Sequence, residues 1–206
     1  LSHKIVPVIF GSWGYHSHLI GEKNIAMLWD EIIRRYEKYN VIWSLAGEVD
    51  LAPSIFVIES KTRSALIKPF IKMWKILKKI VSVKHDDNIK SQIKIWKNIA
   101  KHIKRKSDNL LTVHVHSKQT ANELFSSPKW LDINTIQSGH DHSSIKFMRE
   151  ATLNNNSNLQ PFINLEPWYE GIKNDFYADD QRLAFWTMIL SGAKGYSYGA
   201  NRIWQM

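Results

Sequence analysis

The chain of 206 residues contains no cysteine. That excludes a disulfide scaffold, a zinc–thiolate site, an iron–sulfur cluster and a cysteine nucleophile. Long hydrophobic runs are also missing, and the longest fall far short of the roughly 20 residues that span a bilayer as a helix. No leader pattern with a basic start and an apolar middle is visible. The phosphate-cradling patterns G-x-G-x-x-G and G-x-x-x-x-G-K-[ST] do not occur. Neither does the G-x-S-x-G elbow, since Ser12 lies in Gly-Ser-Trp-Gly and Ser138 in Gln-Ser-Gly-His.

What is present argues for a folded domain. At 44% hydrophobic and 12% aromatic residues the chain can bury a substantial core, which speaks against intrinsic disorder. Its length suits one domain. The net charge is +9, and it is unevenly placed. Lys61 to Lys106 carries 15 Lys and Arg against Asp86 and Asp87, while the rest of the chain is slightly acidic. A basic stretch of this kind suits either a nucleic acid or anionic membrane partner, or a solvated helix face. Its spacing favours the solvated face, so no nucleic acid or membrane partner is expected. Leu66, Phe70, Trp74, Leu77 and Val81 form one apolar stripe, and Ile89, Ile93, Trp96, Ile99 and Ile103 form another behind Asp86-Asp87 as a cap.

Strand-like runs and helix-like periods alternate. Lys4 to Phe10, Val41 to Leu45, Leu110 to His116, Trp130 to Gln137, Pro161 to Leu165 and the glycine-rich Gly192 to Gly199 read as strands. Helices are expected around Ile25 to Tyr36, in the two basic stripes, at Thr120 to Phe125, at Ser143 to Leu153, and behind Asp179-Asp180 as a cap. Such alternation predicts an α/β fold with a parallel sheet and helical crossovers. Polar residues gather at the C-terminal ends of the strands, where a (β/α)₈ TIM barrel places its active site.

Two carboxylates stand at such ends. Glu48 follows Val41 to Leu45, and Glu166 follows Phe162 to Leu165. A pair of carboxyl groups is what glycoside hydrolysis needs, one to protonate the leaving oxygen and one to attack the anomeric carbon or activate water. Pro167-Trp168-Tyr169 follows Glu166 at once, and aromatic faces beside a carboxylate suit sugar stacking. His114 and His116 lie two apart on one strand and are expected on one face, with His140 and His142 after the next strand. This histidine set leaves a metal-dependent hydrolase as a lesser alternative.

Four segments resemble the apiosidase-like glycoside hydrolases. Pro161 to Gly171 (PFINLEPWYEG) and Arg182 to Met206 are similar to two long motifs of that family. Val41 to Glu48 (VIWSLAGE) and Ile136 to His140 (IQSGH) resemble two shorter ones. The similarity touches most of the chain and is thin from about Ile55 to Asp108. It implies a (β/α)₈ barrel of the retaining-glycosidase group, with the acid/base at the end of strand 4 and the nucleophile at the end of strand 7. Strands 3 to 8 would be visible here, so the chain is expected to be a partial, N-terminally truncated barrel domain over 1–206, with 61–106 as a Lys-rich helical segment within it. Position 48 holds Glu where the family pattern has Asp, and Arg202 replaces a common Gly.

The resulting expectation is a retaining glycoside hydrolase with Glu166 as nucleophile and Glu48 as acid/base. Trp13, Trp168, Tyr169, Tyr198 and Trp204 are candidates for sugar stacking, and His116, Gln137, His140, Asn164 and Glu170 for polar contacts. Glu170 is the competing nucleophile. No cofactor and no metal is expected, the partner is an oligo- or polysaccharide, and the resemblance suggests a secreted or periplasmic protein. The alternative of another class is a non-catalytic carbohydrate-binding barrel.

Overall fold

The computed structural model describes residues 8–51, 89–116, 118–155 and 159–203. The expected helix over Leu66 to Val81, the Asp86-Asp87 cap and Trp204 lie outside the described residues. In chain order come β1 (Val8–Phe10), α1 (His16–Tyr36), β2 (Ile42–Ser44), α2 (residues 89–104), β3 (Leu111–Thr112), α3 (Ala121–Phe125), β4 (Asn134–Gln137), α4 (Ser144–Asn155), β5 (Phe162–Glu166), β6 (Tyr169–Glu170), α5 (Ala178–Leu190), β7 (Gly195–Tyr196) and β8 (Gly199–Ala200).

The main strands run parallel and follow one another in sequence order. β1, β2 and β3 form one three-stranded sheet, and β4, β5 and β7 form a second. Between them the backbone ladder gives way to side-chain bonds. Asp132 N–H donates to Leu111 O at 2.9 Å, and its carboxylate accepts from Leu111 N–H at 2.7 Å. Thr112 Oγ1 donates to Ile133 O at 2.8 Å, and Thr135 Oγ1 donates to Val113 O. Buried threonine hydroxyls thus satisfy carbonyls that a regular strand pair would have paired itself.

Each sheet is covered by helices through its own core. Ile25, Trp29 and Ile33 recur every four residues along α1, and all three are buried. They pack with Trp43, Trp96, Ile99 and Ile103, so α1 and α2 cover the first sheet. Two of the buried indoles are hydrogen-bonded, Trp96 Nε1 donating to Gly14 O at 2.8 Å and Trp43 Nε1 to Ser107 Oγ at 2.6 Å, while Trp29 Nε1 is buried without a partner. Met148, Ala151, Phe162, Trp168, Phe176, Ala184 and Met188 form the core between the second sheet and α4 and α5. Among the described residues no helix is long and apolar enough to cross a membrane.

Two local expectations change. Gly192 to Gly199 is not one strand, because Gly195–Tyr196 pairs with β5 while Gly199–Ala200 pairs with β6. Asp179 and Asp180 lie in the first turn of α5, where acidic groups favour the helix dipole, and Tyr177 occupies the N-cap. The large apolar residues Leu183, Trp186 and Leu190 of α5 are exposed, and the smaller Ala184 and Met188 carry its packing.

Candidate active site

The site forms where the C-terminal ends of the two sheets meet. Glu48 sits in a turn clamped between extensions of β1 and β3. Gly47 N–H donates to Ser12 O at 2.7 Å, Gly14 N–H to Gly47 O at 2.9 Å, and Val49 N–H to His114 O at 2.8 Å. Gly14 is required for this clamp, since a Cβ there would lie 2.4 Å from Glu48 O. Glu48 itself has φ 36°, in the left-handed region that non-glycine residues seldom occupy. Strain of this kind persists where surrounding contacts over-determine it, which is common at functional sites.

Glu166 ends β5. The β4–β5 register shifts between Ile136 and Gln137, so Gln137 stands opposite Glu166 rather than Leu165. The irregularity re-aims the strand end. Asn164 and Ser138 fix the new direction: Glu166 N–H donates to Asn164 Oδ1 at 3.2 Å, Asn164 Nδ2 to Ser138 Oγ at 3.1 Å, and Ser138 N–H to Glu166 O at 3.1 Å.

Three side chains converge on the Glu166 carboxylate. His114 Nε2 lies 3.0 Å from Oε2, His140 Nε2 lies 3.0 Å from Oε1, and the Tyr169 hydroxyl is a third partner. His114 Nδ1 accepts from Glu48 N–H at 3.3 Å. A ring nitrogen that accepts carries no proton, so the Nε2–H of His114 is the donor toward Glu166. One imidazole therefore ties the backbone of one carboxylate residue to the carboxylate of the other. Gln137 Nε2 donates to Glu48 Oε1 at 3.1 Å, which brings the Glu48 side chain to the same sheet end.

The electrostatics follow from this arrangement. Burial alone would push the Glu166 pKa up, but hydrogen bonds from His114, His140 and Tyr169 outweigh it and hold the carboxyl well below its ordinary range. Tyr169 is pushed far up, by burial first and then by the charge and hydrogen bond of Glu166 and the charge of Glu48. Its hydroxyl therefore stays a neutral donor. The ring of Tyr169 lies 4.5 Å from that of His140, and Gly199 makes room for it, since a Cβ there would meet Tyr169 Cδ1 at 2.3 Å.

The other expected site residues divide. Gln137, His140 and Tyr169 join the two carboxylates. Trp13 is 44% exposed and lies against Gly47, beside Glu48, where its ring can meet a ligand. Glu170 accepts from the Tyr198 hydroxyl at the β6–β8 rim, with Tyr198 exposed. Trp168 does not fit a stacking role: it is only 1% exposed, its Nε1 donates to Asp141 O at 2.9 Å, and its ring packs on Phe176. Asn164 is fully buried, so it shapes the Glu166 turn rather than meeting a ligand. His116 is exposed, with its backbone N–H held by Asp50 Oδ1 at 2.7 Å.

The expected pairing of His114 with His116 fails, because β3 ends at Thr112 and the following backbone leaves the strand. His114 turns in to Glu166 while His116 faces solvent. Among the described residues no group of three or more Asp, Glu or His is arranged to hold a metal ion. Ser138 was not foreseen as a site residue, and His114 was foreseen only as half of a His-x-His pair with His116, not as a partner of Glu166.

The comparisons with known proteins agree with this architecture. The family model described as apiosidase-like, catalytic domain, matches residues 2–206. A crystal structure of a glycoside hydrolase family 5 protein from Bacteroides vulgatus ATCC 8482 superposes with a TM-score of 0.68 at 22% identity, covering 98% of this chain and 40% of that one. A second solved structure, described as a glycoside hydrolase, gives a TM-score of 0.66 at 19% identity, covering 98% of this chain and 43% of the other. The chain thus spans about two fifths of the length of the solved proteins it matches, and the likeness to them is one of fold. No curated protein matches it.

Proposed function

The chain belongs to the apiosidase-like catalytic-domain family, and on that premise we propose that it carries the two catalytic carboxylates of a retaining glycoside hydrolase. The observation that carries this reading is the state of Glu166. It is a largely buried carboxylate at a strand's C-terminal end, kept ionised by the donors around it, with Glu48 held at the same sheet end by the His114 bond to its backbone N–H and the Gln137 bond to its carboxylate.

In the first step Glu48, protonated, gives its proton to the glycosidic oxygen as that bond breaks. Glu166 attacks the anomeric carbon from the other side and forms a glycosyl ester. In the second step Glu48, now a base, takes a proton from water, whose oxygen displaces Glu166 and releases the sugar. Donors around Glu166 hold its oxygens in place, and a nucleophile so positioned needs little reorganisation on attack. The Tyr169 hydroxyl stays protonated throughout and supports whichever charge Glu166 carries. Trp13 offers a stacking platform next to Glu48, and Glu170 with Tyr198 offers polar contacts at the rim.

In the barrel numbering of such enzymes β2 would be strand 4 and β5 strand 7. β1, β3, β4 and β7 would then be strands 3, 5, 6 and 8, and residues 1–206 would make up most of one barrel domain of about 250 residues. The test is hydrolysis of a panel of aryl glycosides and polysaccharide fragments by this chain and by the full protein that contains it. Glu166→Gln should abolish turnover. Glu48→Gln should retain activity on substrates with good leaving groups and recover rate with added azide. Saturable sugar binding without turnover in every form would instead mark a non-catalytic carbohydrate-binding domain.

A further inference from the structure

Gln137 has one satisfied and one unsatisfied end, as Gln92 and Gln181 also have, but where those two donate to backbone carbonyls Gln137 donates to a carboxylate. Its side chain is 4% exposed, its Nε2 donates to Glu48 Oε1, and its own Oε1 is buried without a hydrogen-bond partner. A buried orphan acceptor is destabilising, and such groups in a folded protein call for an explanation. A leucine or methionine of similar size would avoid that cost. Turning the amide over would only aim its oxygen at the carboxylate of Glu48. The sheet register holds Gln137 opposite Glu166, so the amide is directed at Glu48 by the same bulge that aims Glu166.

We infer that Gln137 is a positioning residue that assigns the catalytic proton to one oxygen of Glu48. This rests on the reading of Glu48 as the acid/base. With Oε1 occupied by an amide N–H, a proton on Glu48 belongs on Oε2, and that oxygen is the one left to face a leaving group. The donor is neutral. A lysine or arginine here would fix the carboxylate as firmly but oppose its protonation, whereas an amide orients it in both the acid and the base half-reaction. The buried orphan oxygen is the structural cost of that orientation.

Several titratable groups surround Glu48. His114 lies under its backbone N–H, and Tyr169 and Glu166 stand across the sheet end. His140 lies beyond Glu166, while Asp50, two residues on, is tied to His116 N–H and the Gln119 amide. His16, on the β1 side, accepts from Trp13 N–H through Nδ1. Glu48 Oε1 accepts from Gln137 Nε2 at 3.1 Å.

The experiment compares Gln137→Leu and Gln137→Met with the wild type in the full protein, by thermal melting and by kcat and KM across pH on the best aryl glycoside. The expected result is a Tm that is unchanged or higher in at least one variant. With it should come a fall in kcat of about 10- to 100-fold and a KM within about threefold. The basic limb of the pH profile should move to higher pH, because a hydrogen bond to the charged form has been lost. A variant that melts like the wild type and keeps its kcat and pH profile overturns the inference. So does a fall in Tm of both variants with an unchanged profile, which marks Gln137 as structural only. If the wild type hydrolyses nothing, the acid/base reading itself fails.

Discussion

Replacing Glu166 with Gln should destabilise the fold, although removing an active-site carboxylate usually relieves strain or repulsion. The reason is the number of donors aimed at it. His114, His140 and Tyr169 all point hydrogens at its two oxygens. A glutamine keeps one acceptor oxygen and turns an NH₂ group toward the donors on the other side. At least one donor is then left buried against another donor, at about 1–3 kcal/mol for each orphan. The charge-assisted character of the remaining bonds is lost as well, so the sum is roughly 2–4 kcal/mol. For a chain of this size each kcal/mol shifts Tm by about 2–4 °C, which predicts a drop of roughly 4–16 °C at pH 7. The pH dependence has a definite sign. The folded-state pKa of Glu166 is depressed from its ordinary 4.5, so its contribution is fully present above the unfolded value and is lost as pH falls toward the folded one. The difference in Tm between wild type and Glu166→Gln, followed by circular dichroism, should therefore narrow as pH falls from about 5 toward 3. A variant at least as stable as the wild type at pH 7, or a gap that does not change with pH, would refute the reasoning.

Other perturbations separate packing from chemistry. Trp168→Ala empties a buried core position and should cost about 3–5 kcal/mol in chemical denaturation, with activity lost through the fold. Trp13→Ala should change stability by less than about 0.5 kcal/mol yet raise KM several-fold, because the ring is exposed beside Glu48. Gly14→Ala forces a methyl against Glu48 O and should cost about 1–3 kcal/mol, with a fall in kcat of order 100-fold as Glu48 moves. A Gly14→Ala protein with normal kcat would show that the Glu48 turn tolerates displacement.

Much of the fold was legible because each strand is a short run of apolar residues closed by a turn. Each of the six expected runs overlaps an observed strand; β2, β3 and β4 are shorter than their runs, and β5 is displaced by one residue so that it ends at Glu166. The helices with a strong four-residue period, α1 and α2, were equally readable. What escaped depends on distant partners. The division of Gly192 to Gly199 into two strands follows from β6, whose Tyr169 and Glu170 read as site residues rather than as strand. The burial of Trp168 is decided by Phe176 and the Asp141 carbonyl, neither adjacent in sequence. In the site, Glu48 and Glu166 could be singled out by their place after strands, and Gln137 and His140 by their motif. The role of His114 could not, because it arises only when the Glu48 turn is folded against the end of β3. Nor could the β4–β5 register shift be foreseen, since alternation alone would have set Gln137 against Leu165.

The most direct test of the central claim is covalent trapping. The 2-deoxy-2-fluoro form of whichever aryl glycoside the full protein turns over is incubated with the enzyme, and the labelled peptide is identified by mass spectrometry. The account predicts a single glycosyl ester on Glu166. A label on Glu170, or hydrolysis with no ester at any carboxylate, would contradict it.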